Sequence, residues 1–208
     1  PLVEKYIGSL PVSGRKETWI DRGIRQPEGK VKREVSLPLT IPKSTVYLSF
    51  VRDMKYNPRN YLGLEVISGI LDIVYTDKVR EEKGGSYNVG VSFSAQKRPE
   101  QTGEGVISFD CDPARANELK AIVYNQIDSL VIKGPTRVNL DKTVKNILKT
   151  REENKLHNSY WMSILTRYYS YGINGNDPGN YENVLKSYKV KDIRKIARKM
   201  FRKADVVD

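Results

Sequence analysis

Between Asn60 and Cys111 the chain changes its hydrophobic period, and any fold must accommodate that change in the order in which it occurs. Leu64, Ile67, Leu71 and Val74 recur at spacings of three and four, with Ile70 alongside, which makes one apolar face of a helix expected to end near Lys78. From Ser86 the period drops to two: Tyr87, Val89, Val91 and Phe93 alternate with Asn88, Gly90, Ser92 and Ser94. A charged loop, Gln96 to Gly103, then leads into a partner strand at Glu104 to Cys111, so the pair is expected to form a hairpin. A single helix feeding an antiparallel hairpin excludes a doubly wound parallel sheet for this stretch.

The flanking segments extend the same pattern. Val31 to Thr40 and Ser44 to Val51 are strand candidates, the second rich in β-branched and aromatic residues. Asn57-Pro58 is suited to start the helix, since proline is tolerated in a first turn. Asp112-Pro113 is a second helix start, with Leu119, Ile122, Val123, Ile127 and Leu130 as its apolar face and Lys133-Gly134-Pro135 as its stop. Helical patterns follow at about Arg137 to Glu153, onward to Tyr171, at Tyr181 to Ser187 and at Asp192 to Arg202. Strands first and helices later imply an α+β fold, a mostly antiparallel sheet with helices packed on one face. Residues 1–30 lack a core period and carry Gly8, Pro11, Gly14, Gly23, Pro27 and Gly29, so they read as an arm from a preceding region, leaving 31–208 as the folded domain. Chain start at Pro1 and the strand-like run Ala204 to Asp208 are read as the bounds of an excised piece.

Charge and cysteine usage narrow the function classes. A formal net charge of +11 favours acidic partners, but the basic residues are mixed with acids at both ends, which disfavours a dedicated nucleic-acid surface. No apolar run approaches the roughly 18 residues of a membrane span, so a soluble protein with no membrane partner is expected. Its compartment is left open between periplasm and cytoplasm. Cys111 is alone and reads as a small buried hydrophobe in a strand. His157 is also alone, so neither order of a two-histidine zinc motif can be written and no metal or cofactor is expected in this chain. Ser86 lacks the glycine spacing of a nucleophile elbow, and no catalytic residue is assigned.

Arg80 and Tyr87 flank the glycine turn Gly84-Gly85 between helix and strand. A guanidinium and a phenol at one sheet edge can hydrogen-bond a peptide carbonyl or a developing oxyanion. Equally, Arg80 can be a solvated helix-end cation and Tyr87 a rim residue, and the residues alone favour this plainer role.

The run Leu62-Gly63-Leu64-Glu65-Val66-Ile67-Ser68-Gly69-Ile70-Leu71, followed by Val79-Arg80-Glu81-Glu82-Lys83-Gly84-Gly85-Ser86-Tyr87-Asn88-Val89, resembles the C-terminal-type domain of the pitrilysin/insulinase (M16) family of zinc metallopeptidases. The resemblance covers roughly residues 31–203. It implies an α+β domain that pairs, within one polypeptide, with a catalytic half bearing an inverted His-x-x-Glu-His zinc motif, the two halves enclosing a peptide substrate. It also implies the last domain of a long bacterial member, substrate contact by Arg80 and Tyr87 beside Gly84 and Gly85, and zinc held only in the other half. A structural or assembly subunit of the same fold is the second implication, and a basic nucleic-acid-binding module the third and weakest.

Overall fold

The computed structural model describes residues 1–208 except 16, 17, 19, 39, 82–88 and 173–177, with backbone only for 79–81, 178 and 179. In chain order its elements are β1 (Lys30–Val31), β2 (Ser44–Asp53), α1 (Pro58–Tyr75), β3 (Val89–Gln96), β4 (Thr102–Cys111), α2 (Ala116–Ile132), α3 (Arg137–Asn154), α4 (Asn158–Tyr171), α5 (Pro178–Ser187), α6 (Val190–Phe201) and β5 (Asp205–Val207). Among the described residues the strands form one sheet in the order β1-β5-β2-β4-β3, antiparallel throughout except for the parallel β1–β5 pair. The α+β architecture expected from the order of periods is the one observed.

The hairpin and its neighbour set the register of the core. Leu48 pairs with Ile107 and Phe50 with Gly105, and the buried Leu48, Phe50, Phe93, Ile107 and Phe109 share one sheet face. Period-two alternation puts Tyr47, Ser49, Glu104 and Ser108 on the other, polar face. Gly105 lies under Phe93, whose ring would stand 1.9 Å from any Cβ there, so the aromatic packs directly on backbone. That ring joins Phe50 and Phe201 in a cluster with centroids 5.2 to 5.9 Å apart, fastening α6 to the sheet.

Helix α1 begins as its sequence dictates. The Asn57 side chain accepts the Asn60 N–H at 2.8 Å, and Pro58 occupies the first turn. Its apolar face is wider than the one stripe expected, because Leu62, Leu64, Val66, Ile67, Ile70 and Leu71 are all buried. The sheet lies beneath α1, while α2, α3, α5 and α6 pack around it. Helices therefore cover one sheet face in two tiers: α1 lies in the inner tier, which α6 and α2 also reach at β2, and α3 and α5 pack over it. Two glycines permit this: a Cβ at Gly63 would meet Ile196 Cδ1 of α6 at 2.3 Å, and one at Gly69 would meet Thr143 Cγ2 of α3 at 2.7 Å. At its end Tyr75 is buried and donates its hydroxyl hydrogen to the Val123 carbonyl of α2 at 3.2 Å. Helical backbone continues with a wider turn over Thr76–Glu81, past the expected stop near Lys78.

Other stops and starts follow local chemistry. Asp112 accepts the Ala114 N–H and opens a 3-10 turn that runs into α2. Gly134 takes a left-handed φ of 83° beyond α2 and donates its N–H to Leu130 at 3.0 Å. Helices α3 and α4 are separate rods with a turn at Lys155 to His157, where the histidine is exposed. Cys111 is buried at the end of β4, and burial pushes its thiol pKa up.

The strand expected over Val31 to Thr40 is confined to its first residue. Ladder bonds run from Asp208 N–H to Val31 and from Arg33 N–H to Asp208, and among the described residues no strand lies beside 34–38. Without a neighbour, extended chain has no ladder to join, and Val35 and Leu37 stay exposed. The segment before β1 is tied to the sheet: Gln26 donates to the Asp205 and Ser49 carbonyls, and the Ser49 hydroxyl donates to Gln26 Oε1 at 2.7 Å.

Candidate functional site

The sequence singled out the join between α1 and β3. Arg80 lies on the helical backbone of Thr76–Glu81, one turn beyond the buried Tyr75 anchor, and its side chain is outside the described residues. Gly84, Gly85 and Tyr87 also lie outside them. The described flanks show what the join connects: the end of α1 and β3, which is the edge strand of the sheet.

A second candidate lies at the opposite end of α1. Helices α1, α3, α4 and α5 stand around a cleft of about 740 Å³, within the range of small-molecule sites. Its wall is built from the first two turns of α1, where Tyr61 and Glu65 share a face, from Arg151 of α3, Arg167 of α4 and Tyr181 of α5. The Arg151 guanidinium sits 3.6 Å from the Tyr181 ring centroid and 5.6 Å from that of Tyr160, within cation–π range of both. Arg167 sits 4.8 Å from the Tyr61 ring centroid. Tyr181 donates to the Glu65 carboxylate, 3.3 Å from each oxygen.

Burial dominates the electrostatics of this wall. It pushes the Glu65 carboxyl above the usual range, while the Tyr181 hydrogen bond and the Arg167 and Arg151 charges pull the other way. Burial and then the neighbouring Glu65 charge push the Tyr181 phenol up as well. Lys97, at the mouth, donates to the Tyr171 carbonyl at 2.6 Å. Three basic side chains thus face one acidic side chain in the cleft.

The sequence reading missed this cleft because its residues come from four helices and no spacing links them. One signal was present: Glu65 is the single charge in the run from Tyr61 to Leu71, in the middle of a helix otherwise built for the core. Among the described residues, no group of three or more His, Cys, Asp or Glu side chains could hold a metal ion. No described helix is long and apolar enough to cross a membrane.

The described elements make an α+β domain, a mostly antiparallel sheet with helices on one face. A family profile described as the peptidase M16 inactive domain matches residues 1–147, and the chain belongs to that family. Solved structures agree on the fold. The ferredoxin protease FusC, solved as a mutant in complex with Arabidopsis ferredoxin, is 16% identical over 99% of this chain and 22% of its own, with a TM-score of 0.74. The periplasmic protease PqqL from Escherichia coli is 16% identical over 86% of this chain and 20% of its own, with a TM-score of 0.65. A peptidase M16 inactive domain from Pseudomonas fluorescens is 16% identical over 86% of this chain and 42% of its own, with a TM-score of 0.62. The chain therefore spans about a fifth of the length of the first two proteins. No curated protein sequence matches it.

Proposed function

We propose that this chain is the substrate-holding, chamber-forming domain of a zinc-dependent peptidase, acting beside a catalytic half in the same polypeptide. Membership of the M16 inactive-domain family carries the reading. In it, residues 31–208 form the domain and residues 1–30 are the arm leading from the preceding one. Zinc and the general base belong to the catalytic half. This chain supplies position and charge.

Arg80 and Tyr87 take the contacting roles. Arg80 follows a helix anchored by Tyr75, and Tyr87 precedes an edge strand. A guanidinium and a phenol placed against the scissile peptide donate to its carbonyl oxygen, and they donate more strongly once that oxygen gains charge. Gly84 and Gly85 allow the substrate backbone to come close to the join.

The test uses the full-length protein. Arg80→Ala and Tyr87→Phe are each expected to lower kcat for peptide hydrolysis by about a hundred- to a thousandfold, the range for losing one transition-state donor, with zinc content unchanged. Unaltered turnover in both variants removes the role. Absence of hydrolysis and of zinc in the wild-type protein replaces the peptidase reading with that of a structural subunit of the same fold.

A further inference from the structure

We propose that the cleft between α1, α3, α4 and α5 binds a carboxylate-bearing peptide segment, with the carboxylate held by Arg151 and Arg167. No part of this depends on Arg80 or Tyr87. It takes from the function proposed above only that the polymer presented to the protein is a peptide.

The geometry of the two arginines points to a planar anion. Each guanidinium lies against a tyrosine ring, Arg151 at 3.6 Å from the Tyr181 centroid and Arg167 at 4.8 Å from that of Tyr61. Contact with a ring restricts each side chain, and a guanidinium carries five N–H donors in a fixed fork, enough to engage its tyrosine and still meet a carboxylate with two parallel hydrogen bonds. Holding both side chains in place before binding also removes part of the ordering cost that long, flexible cations otherwise carry.

Charge selects the sign of the ligand. Glu65 is the acid among the lining side chains, and it is already engaged by the Tyr181 hydroxyl and by the fields of both arginines. Lys97 adds a third positive charge at the mouth. A cationic ligand would face three like charges, and an anion meets an excess of partners.

Size and lining select the class. At about 740 Å³ the cleft holds far more than an inorganic anion. Asn146, Thr150 and Asn154 of α3 and Ser163 of α4 line the wall beside the apolar Leu62, Ile147 and Ile164. Amides and hydroxyls both donate and accept, which matches the alternating N–H and C=O groups of an extended peptide backbone.

The carboxylate has two sources, a chain terminus or an acidic side chain, and the test separates them. Full-length protein in EDTA is titrated against an N-terminally fluorescein-labelled pentapeptide, Ala-Tyr-Ala-Ala-Glu, read by fluorescence anisotropy. Arg151→Met and Arg167→Met are each expected to weaken binding about tenfold or more, the loss of a hydrogen bond to a charged group. Arg137→Met, exposed on α3 and outside the cleft, is expected to leave it unchanged, and the catalytic reading is tested separately, by turnover of the Arg80 and Tyr87 variants. Amidating the peptide terminus and replacing its Glu by Gln identify the source by which of the two changes abolishes binding. Absence of binding, equal binding by the peptide lacking both carboxylates, or indifference to both arginine variants overturns the proposal. If an arginine variant has lost its helical circular dichroism, the wild-type protein decides alone: a peptide ending in amidated Lys must bind at least about tenfold more weakly, and equal affinity overturns the site.

Discussion

Helices α1 and α4 both carry apolar residues at helical spacing, and they end in opposite environments. Six large aliphatic side chains of α1 are buried, with the sheet on one side and four helices around the rest. No residue of α4 is buried: Trp161, Met162, Leu165, Tyr168 and Tyr169 form a stripe that is 45% to 80% exposed, while Tyr160, Ser163, Ile164 and Arg167 face the cleft. A helical period shows that a face is apolar. Only the tertiary partner decides whether that face is covered.

This contrast can be broken or sharpened by substitution, and the largest effect belongs to α1. Leu64 is fully buried, so Leu64→Ala should destabilise the domain by about 2–5 kcal/mol in urea unfolding; a loss well below that range would mean that α1 is not in the inner tier. Gly63→Val pushes a side chain into Ile196 of α6, and overpacking of this kind costs about 1–3 kcal/mol. A neutral result there would show that α6 can slide along α1. The Thr143 hydroxyl, buried where α3 crosses Gly69, has no hydrogen-bond partner among the described residues. Thr143→Val keeps the shape and removes the unpaired group, and a gain of about 1 kcal/mol in the same assay is expected.

Glu65 gives a smaller, pH-dependent effect. Its folded-state pKa is raised, mainly by burial, so the native state holds the proton more tightly than the unfolded chain. The resulting stability is fully present below the unfolded carboxylate pKa and is lost as pH rises through the folded value. Glu65→Gln removes this loss. The stability of the variant minus that of the wild type should therefore rise from acid to neutral pH, and a flat difference would place the carboxylate in water rather than in the wall. The smallest effect is expected on α4, where Leu165→Ala should change stability by no more than about 0.5 kcal/mol; a cost like that of Leu64 would show the stripe to be covered.

The parts of the fold written in short segments were legible. Asn57-Pro58, Asp112-Pro113 and Gly134 act through bonds to residues two to four positions away, and the β3–β4 alternation fixes its own face. Width of burial on α1 was not legible, because the helices that cover it come from residues 116 onward. Val31 to Thr40 has strand character in isolation, but a strand exists only as long as its neighbour, and here that neighbour is β5. At the candidate sites the split is similar. Arg80, Gly84, Gly85 and Tyr87 are contiguous enough to be recognised as a pattern, whereas Tyr61, Glu65, Arg151, Arg167 and Tyr181 meet only through packing. The odd charge at Glu65 was their single trace in the sequence.

Placement of β5 between β1 and β2 has a consequence for how the domain is made. Gly29 and Asp205, joined by a 2.6 Å hydrogen bond, stand 176 positions apart, and β2 must keep one edge unpaired until the last strand arrives. The hairpin and its helices can assemble from nearby contacts. The sheet as a whole waits on loop closures that span most of the chain, the kind that slow folding. During synthesis β1 therefore has no strand to pair with until residues 205–207 have left the ribosome, and the exposed edge of β2 is the surface most open to mispairing in that interval.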